Sequence, residues 1–313
     1  MIITHSSLEC FKQCRQKYKN RYLAHIYPVL KSNALEFGSA MHEVLQQLFE
    51  TIEAQQTDNV TEYEPKESII SRLCEMIDIT TLEQFDKAKL KGLITGYVNK
   101  WYESDCQKYE IVDVEKEFCK PLDCAGYNYN FVGKVDGIIR DKETGKFYIL
   151  EHKTASIVDD DYVSQKHIDS QTMTYALFIM DTMQIKVSGA VHDLITKQKI
   201  RQKKGETDDE FAQRLIDDVS DDNFERIVIE FDDNDLVDFR LELNAAIDDV
   251  VNCSKYYKCT GSCIGRYGTC EYLPFCKNKC DLCGIEELYE YRKPFEEISK
   301  ETLESRSRQE VEA

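Results

Sequence analysis

The chain has 313 residues, 42% of them hydrophobic and 31% charged, with a formal net charge of −18. At roughly 100–200 residues per domain, this length gives one large domain or two small ones and buries a core without disulfide staples. Thirteen Gly and five Pro exclude a collagenous or low-complexity chain, and no stretch approaches the ~20 apolar residues of a membrane span.

Residues 1–105 read as helical. Ser6 or Ser7 is expected to cap a helix through Tyr22, and Phe37–Glu53 repeats Met41, Leu45, Leu48 and Ile52 at helical spacing. Gln56–Pro65 is a polar break, followed by helical patterns over Ser68–Asp78 and Leu82–Tyr102. Near Tyr109 the texture turns to β, with strands expected at Ile111–Phe118, Tyr127–Arg140 and Lys146–His152. The run Asp141–Gly145 has the composition of a hairpin turn between the last two. A helix over Ser164–Met180, a strand over Ile185–Leu194, a strand over Arg226–Phe231 and a helix near Asp235–Cys253 complete the pattern. The expectation is an α/β fold with a mixed sheet flanked by helices. Its divisions are a helical N-terminal region (residues 1–105), a core (106–200), an acidic segment (201–255), a cysteine region (256–293) and a charged tail (294–313), forming one integrated domain.

Met1–Cys10 lacks the charged-then-apolar order of a secretion signal. The thirteen cysteines are an odd count, so reduced thiols or metal ligands in a reducing cytoplasm are expected, and no membrane partner. Six of them scatter from Cys10 to Cys124, while seven crowd between Cys253 and Cys283. The charge is equally uneven. Glu206–Asp249 holds seventeen acidic residues against three arginines, a net of −14. Basic runs at Lys12–Arg21 and Lys197–Lys204 leave room for a polyanionic partner, with the acidic segment turned away from it.

Two short motifs carry chemistry. Gly133-x-x-Asp136 and Glu151-x-Lys153 lie on the two strands of the expected hairpin. Residues two apart share a strand face, so Glu151 and Lys153 project together. A turn symmetric about Glu143 and Thr144 would place Asp136 opposite Glu151, with Cβ atoms about 5 Å apart. Such carboxylates can hold magnesium or manganese beside a lysine that orients the nucleophile; a surface salt-bridge trio is the plain alternative. His42 follows Gly38 by one helical turn, and Gln171 and Tyr175 share a helix face at i, i+4.

Taken in order, His42, Gly133-x-x-Asp136, Glu151-x-Lys153 and Gln171-x-x-x-Tyr175 resemble the RecB/AddB-type branch of the PD-(D/E)XK nucleases. The opening Ser7-Leu8-x-x-Phe11-x-x-Cys14-Arg15-x-x-Tyr18 is similar to that family's N-terminal signature, with Arg15 where proline is usual. The resemblance implies a divalent-metal-dependent deoxyribonuclease acting on single-stranded DNA or DNA ends, in recombination, repair or phage DNA processing. It implies His42, Asp136 and Glu151 as metal ligands, with His152 counted beside them. Lys153 would be the catalytic lysine, and Gln171 and Tyr175 would order the site or hold DNA. Cluster-bearing relatives, including the CRISPR adaptation nucleases, imply a 4Fe–4S cluster on Cys14, Cys263, Cys270 and Cys276, with Tyr267-Gly268 making the bend. Cys10 competes for the first position, Cys280 and Cys283 for the last, and zinc held within Cys253–Cys283 is the alternative. Cys74, Cys106, Cys119 and Cys124 read as small hydrophobes. The chain has no P-loop, so unwinding would need a helicase or recombination partner. A non-catalytic DNA-binding scaffold and a zinc-binding regulator are the other readings.

Overall fold

The computed structural model describes residues 2–30, 32–58, 60, 62–124, 127–265, 268–295, 298, 299 and 302. In chain order the elements begin with β1 (Ile2–Ile3), α1 (His5–Gln13), α2 (Arg15–Tyr18), a π-helical turn at Lys19–Leu23 and β2 (Ile26–Pro28). Helices α3 (Asn33–Thr57), α4 (Lys66–Asp78) and α5 (Gln84–Lys108) lead to strands β3 (Tyr109–Cys124), β4 (Tyr127–Asp141) and β5 (Phe147–Ala155). Next come α6 (Asp160–Lys166), α7 (Ser170–Met183), β6 (Val187–Thr196), α8 (Asp208–Asp217), β7 (Phe224–Glu230) and α9 (Asp233–Val251). Short elements β8 (Ile264–Gly265), β9 (Gly268–Thr269), α10 (Leu273–Lys277) and β10 (Tyr289–Tyr291) follow.

The chain divides into two compact units, one of Met1–Lys31, Glu117–Lys134 and Val237–Ala313, the other of Ser32–Lys116 and Val135–Leu236. The second unit is built on the β4-β5-β6-β7 part of a mixed sheet, in which β5 and β6 run parallel while β4–β5 and β6–β7 are antiparallel. Both faces of β5 and β6 are covered, and β6 is buried along almost its whole length. Met41, Leu45, Leu48 and Ile52 line the buried stripe of α3 as the spacing predicts, packed with Leu90, Leu93, Tyr97, Leu150 and Val191. In the first unit, Ile26, Tyr272, Phe275 and Tyr289 form a small core against Cys270, Cys276 and Cys280. Antiparallel pairing of β2 with β10 ties the two ends of the chain there.

The fold class is as expected, and three local expectations are corrected. The first helix is capped by Thr4, whose hydroxyl accepts the Ser7 N–H, while Ser7 Oγ returns the bond to the Thr4 N–H. That helix stops at Cys14, whose φ of −162° is extended, so the run to Tyr22 is broken. The helix expected over Ser164–Met180 is two, because Asp169 accepts from the Gln171 and Thr172 N–H groups and starts α7 afresh. The acidic segment also holds α8, begun by the capping box Thr207-x-x-Glu210 and anchored by buried Phe211 and Leu215.

Close strand contact makes one glycine indispensable. A Cβ on Gly189 of β6 would stand 2.0 Å from the Ile229 carbonyl oxygen of β7. Because the obstacle is backbone, the strands themselves must part. Gly189→Ala is therefore expected to cost about 1–3 kcal/mol or more by the overpacking rule, seen as a lower urea midpoint.

Candidate active site

The site lies in the second unit where β4 and β5 separate. Asp141 Oδ1 accepts from the N–H groups of Glu143 and Thr144, and Gly145 completes the turn at φ 72°. This fixes the register Arg140↔Phe147 through Gly137↔Leu150, the pairing that symmetry about Glu143 and Thr144 requires. One step further, Asp136 Oδ2 accepts the main-chain N–H of His152 at 2.9 Å.

His42, half-buried beside the α3 stripe, brings Nδ1 to 3.4 Å from Asp136 Oδ1. A third group joins them that the sequence reasoning did not single out. Glu115 of β3 has a ligand atom in a set with His42 and Asp136 in which all members lie within 4.8 Å of one another. Its φ of 52° is a left-handed kink within a strand, costly for a side chain with a Cβ. At Gly38, one turn before His42, a Cβ would meet Thr154 Oγ1 at an ordinary 3.8 Å.

Glu151 and Lys153, two apart on β5, share one of its faces. Lys153 Nζ stands 2.5 Å from Glu151 Oε1 and donates to Gln171 Oε1 at 3.0 Å, while Gln171 Nε2 donates to the Tyr175 hydroxyl at 3.1 Å. The i, i+4 pair on α7 thus closes over the lysine. His152, between them, points its ring the opposite way, with Nδ1 3.4 Å from Asp193 Oδ2.

Electrostatics separate the two acids. Burial works to raise the Asp136 carboxyl, but the hydrogen bond and charge of His42, with His152 and Lys153, hold it down at about 2. Burial and then the Asp136 charge push Glu151 up to about 7, with Lys153 only partly offsetting them. His42 is raised, because Asp136 and Glu151 outweigh its burial, and Lys153 is raised for the same reason. A pair of carboxyls pushed apart in this way marks a site with divided roles.

His192, the β6 neighbour of Glu151, is fully buried, and neither ring nitrogen has a hydrogen-bond partner among the described residues. Burial lowers it from 6.5 to about 4. The unfolded chain takes this proton near pH 6.5 and the folded chain near 4, so its share of stability is whole above 6.5 and drains as pH falls to 4. At about 1.4 kcal/mol per unit the loss is about 3 kcal/mol. Between those pH values wild-type stability in urea is expected to fall about that much more than in His192→Leu protein.

The cysteines gather in the first unit. Cys14, in the break between α1 and α2, has Sγ accepting the Cys259 N–H at 3.4 Å, and the Cys270 N–H bonds the Cys263 carbonyl at 2.9 Å. Among the described residues no three of these sulfurs lie within 4.8 Å of one another. Burial pushes the Cys10 thiol up to about 12 and Cys276 up to about 11. Tyr267 of the expected bend lies outside the described residues, as does the Cys124 side chain; Gly268 has φ 110°. The opening signature explains itself physically: Ser7 closes the capping box, Leu8, Phe11 and Tyr18 are buried, and Arg15 stacks on Phe11 and Tyr257 while donating to Cys253 Sγ.

The basic runs are partly paired within the chain. Lys12 pairs with Glu9, Lys17 and Arg21 pair with Glu271, and Lys197 lies 4.0 Å over the Phe37 ring. Lys199, Arg201, Lys203 and Lys204 are exposed.

A mixed sheet with an acidic metal-type cluster and an adjacent Glu-x-Lys strand is the arrangement of a nuclease. The family model of the PD-(D/E)XK nuclease superfamily matches residues 2–277, and the chain belongs to that superfamily. Among solved structures it is similar to a candidate exonuclease from Eubacterium rectale, at 13% identity over 97% of this chain and 93% of that one, with a TM-score of 0.48. It is also similar to SSO0001, at 14% identity over 69% of this chain and 89% of that one, with a TM-score of 0.29. No curated protein matches it. No helix among the described residues is long and apolar enough to cross a membrane.

Proposed function

We propose that the chain is a divalent-metal-dependent deoxyribonuclease that hydrolyses phosphodiesters of single-stranded DNA or DNA ends. The observation that carries this is the convergence of His42, Glu115 and Asp136 beside the Glu151–Lys153 strand. The donor set, one imidazole and carboxylates, fits Mg2+ or Mn2+ held by His42, Asp136, Glu115 and Glu151. Bound there, the cation would supply Lewis acidity and a water acidified toward neutral pH. Asp136 is ionised throughout the physiological range, and its second oxygen is kept in place by the His152 N–H. His152 therefore serves through its main chain. Lys153 remains cationic; two of its three N–H groups face Glu151 and Gln171, and the third is left for a phosphate oxygen. Gln171 and Tyr175 hold that ammonium in line. Lys199, Arg201, Lys203 and Lys204 are the proposed phosphate contacts.

The same reading gives the first unit a 4Fe–4S cluster on Cys14, Cys263, Cys270 and Cys276. A soft thiolate set suits it, and the N–H donated to Cys14 Sγ is of the kind that tunes cluster sulfurs. The half-buried Cys14 suits the first position better than Cys10, whose buried thiol resists ionisation. The activity fits recombination, repair or phage DNA processing, with unwinding left to a helicase partner.

The test is digestion of end-labelled single- and double-stranded DNA with Mg2+, with Mn2+ and with chelator. Cleavage that needs the cation and starts from single strands or ends supports the proposal. No cleavage of either substrate with either metal overturns it.

A further inference from the structure

Behind β5, on the face away from Glu151 and Lys153, a row of polar residues crosses three strands in register. His152 of β5 is the Cα partner of Asp193 of β6, and Asp193 is the partner of Arg226 of β7. The row is buried, with His152, Asp193 and Asp105 of α5 at 4%, 1% and 2% exposure. Arg226 donates from Nε to Asp193 Oδ1 at 2.5 Å and from Nη2 to Asp193 Oδ2 at 2.9 Å. Its other edge grips Asp105, and its guanidinium lies 4.4 Å from the Trp101 ring centre. The Tyr97 hydroxyl donates to Asp193 Oδ2 at 2.5 Å. Every oxygen of Asp193 is thereby fixed from the α5 and β7 side, and Oδ2 faces His152 Nδ1 at 3.4 Å.

A buried ion network is weak grounds for stability, since well-packed apolar side chains do as well or better. What it can supply is a defined position. The ring of His152 faces Asp193, with Nδ1 3.4 Å from Oδ2, and is flanked by Phe49 and Tyr97, with centroids 5.2 and 6.1 Å away. The main-chain N–H of the same residue donates to Asp136 Oδ2, whose partner oxygen meets His42. One residue thus connects the buried row to the proposed cation site.

We propose that Asp193, clamped by Arg226 and Tyr97, is a positioning residue that sets the Asp136 carboxylate through His152. It touches neither cation nor DNA. This rests on the proposed metal-dependent reading of the site. Groups that orient a metal ligand from outside typically change metal affinity by about 10–100-fold when removed.

The experiment is a Mn2+ titration of the full-length protein, following free Mn2+ by electron paramagnetic resonance, with melting in chelator measured alongside. Asp193→Asn is expected to weaken Mn2+ binding by about 10–100-fold. Asp105→Asn, equally buried but hydrogen-bonded to Arg226 rather than to Asp193 or His152, is the structural control. It is expected to lower the melting temperature comparably while holding Mn2+ affinity within about twofold. Should Asp193→Asn fail to fold, Tyr97→Phe removes a single bond to Asp193 and is expected to shift affinity less, in the same direction. Asp193→Glu is expected to recover part of the loss. Equal Mn2+ affinity in wild type and Asp193→Asn, or equal weakening in the Asp105→Asn control, overturns the positioning role and leaves the metal site standing. Wild type that binds no Mn2+ overturns both.

Discussion

Lys153→Ala protein is expected to cleave end-labelled DNA at least about 10²–10³-fold more slowly than wild type, the usual cost of removing one preorganised charge stabiliser. Its fold should survive. Removing the lysine strands Glu151, 1% exposed, without its nearest cation, which for a fixed charge would cost several kcal/mol. Glu151 already titrates near 7, however, so it can take up a proton and limit that penalty. Mn2+ affinity in Lys153→Ala should change little, because the loss of a positive neighbour and the protonation of Glu151 act in opposite directions. Asp136→Ala is expected to differ in kind, losing cleavage together with Mn2+ binding, and Glu151→Ala to lose cleavage. Glu115→Ala should raise the metal requirement at least about tenfold, a loss at the lower end of that seen for outer partners of metal ligands. Cleavage assays and Mn2+ titration on the same preparations separate these outcomes. Wild-type turnover in Lys153→Ala would remove the catalytic assignment.

How far this site could be read from sequence depended on whether local rules governed it. The hairpin register was legible because Asp141, Thr144 and Gly145 dictate a turn, and a turn sets every pair beyond it. The Gln171/Tyr175 pair was legible because helical spacing alone puts both tips on one face. Glu115 was not. It sits among Asp113 and Glu117 in an alternating acidic run, and its distinction is a left-handed φ that only the folded sheet imposes. The direction of the His152 ring follows from alternation along β5, so strand parity could have removed it from the side-chain ligands. The buried row left fainter traces. His192 and Asp193 interrupt the apolar strand Val187–Thr196, and Arg226 is one of three arginines in Glu206–Asp249. A polar pair in a buried strand and an arginine in an acidic segment call for partners, but only the register of β5, β6 and β7 says that they are one another's. The missed α8 was local after all: Thr207-x-x-Glu210 is a capping signature that the acidic composition concealed.

Replacing Cys14, Cys263, Cys270 or Cys276 with serine is expected to bleach a brown protein. Anaerobically purified wild type should carry about four irons per chain, as a cluster on four thiolates requires. Serine offers a harder oxygen that soft iron–sulfur chemistry holds poorly. The consequence for stability follows from where the ligands sit. Cys14 belongs to the N-terminal segment of the first unit and the other three to its C-terminal segment, so losing the cluster unties segments more than 240 residues apart, as the Cys14–Cys259 bond spans. The untying is incomplete. The β2–β10 pairing persists, and the Tyr272 hydroxyl still donates to the Ile26 carbonyl at 2.6 Å. The serine variants should therefore melt in two steps, with the first unit opening at lower temperature while Glu151, Lys153 and their neighbours keep the second unit folded. Cys10→Ser should differ, because Cys10 is buried, its thiol stands near 12, and no ligand role is assigned to it. Iron content, visible absorbance and calorimetry on protein never exposed to air decide the matter. Stoichiometric zinc without iron, or full iron in Cys14→Ser, would overturn the assignment.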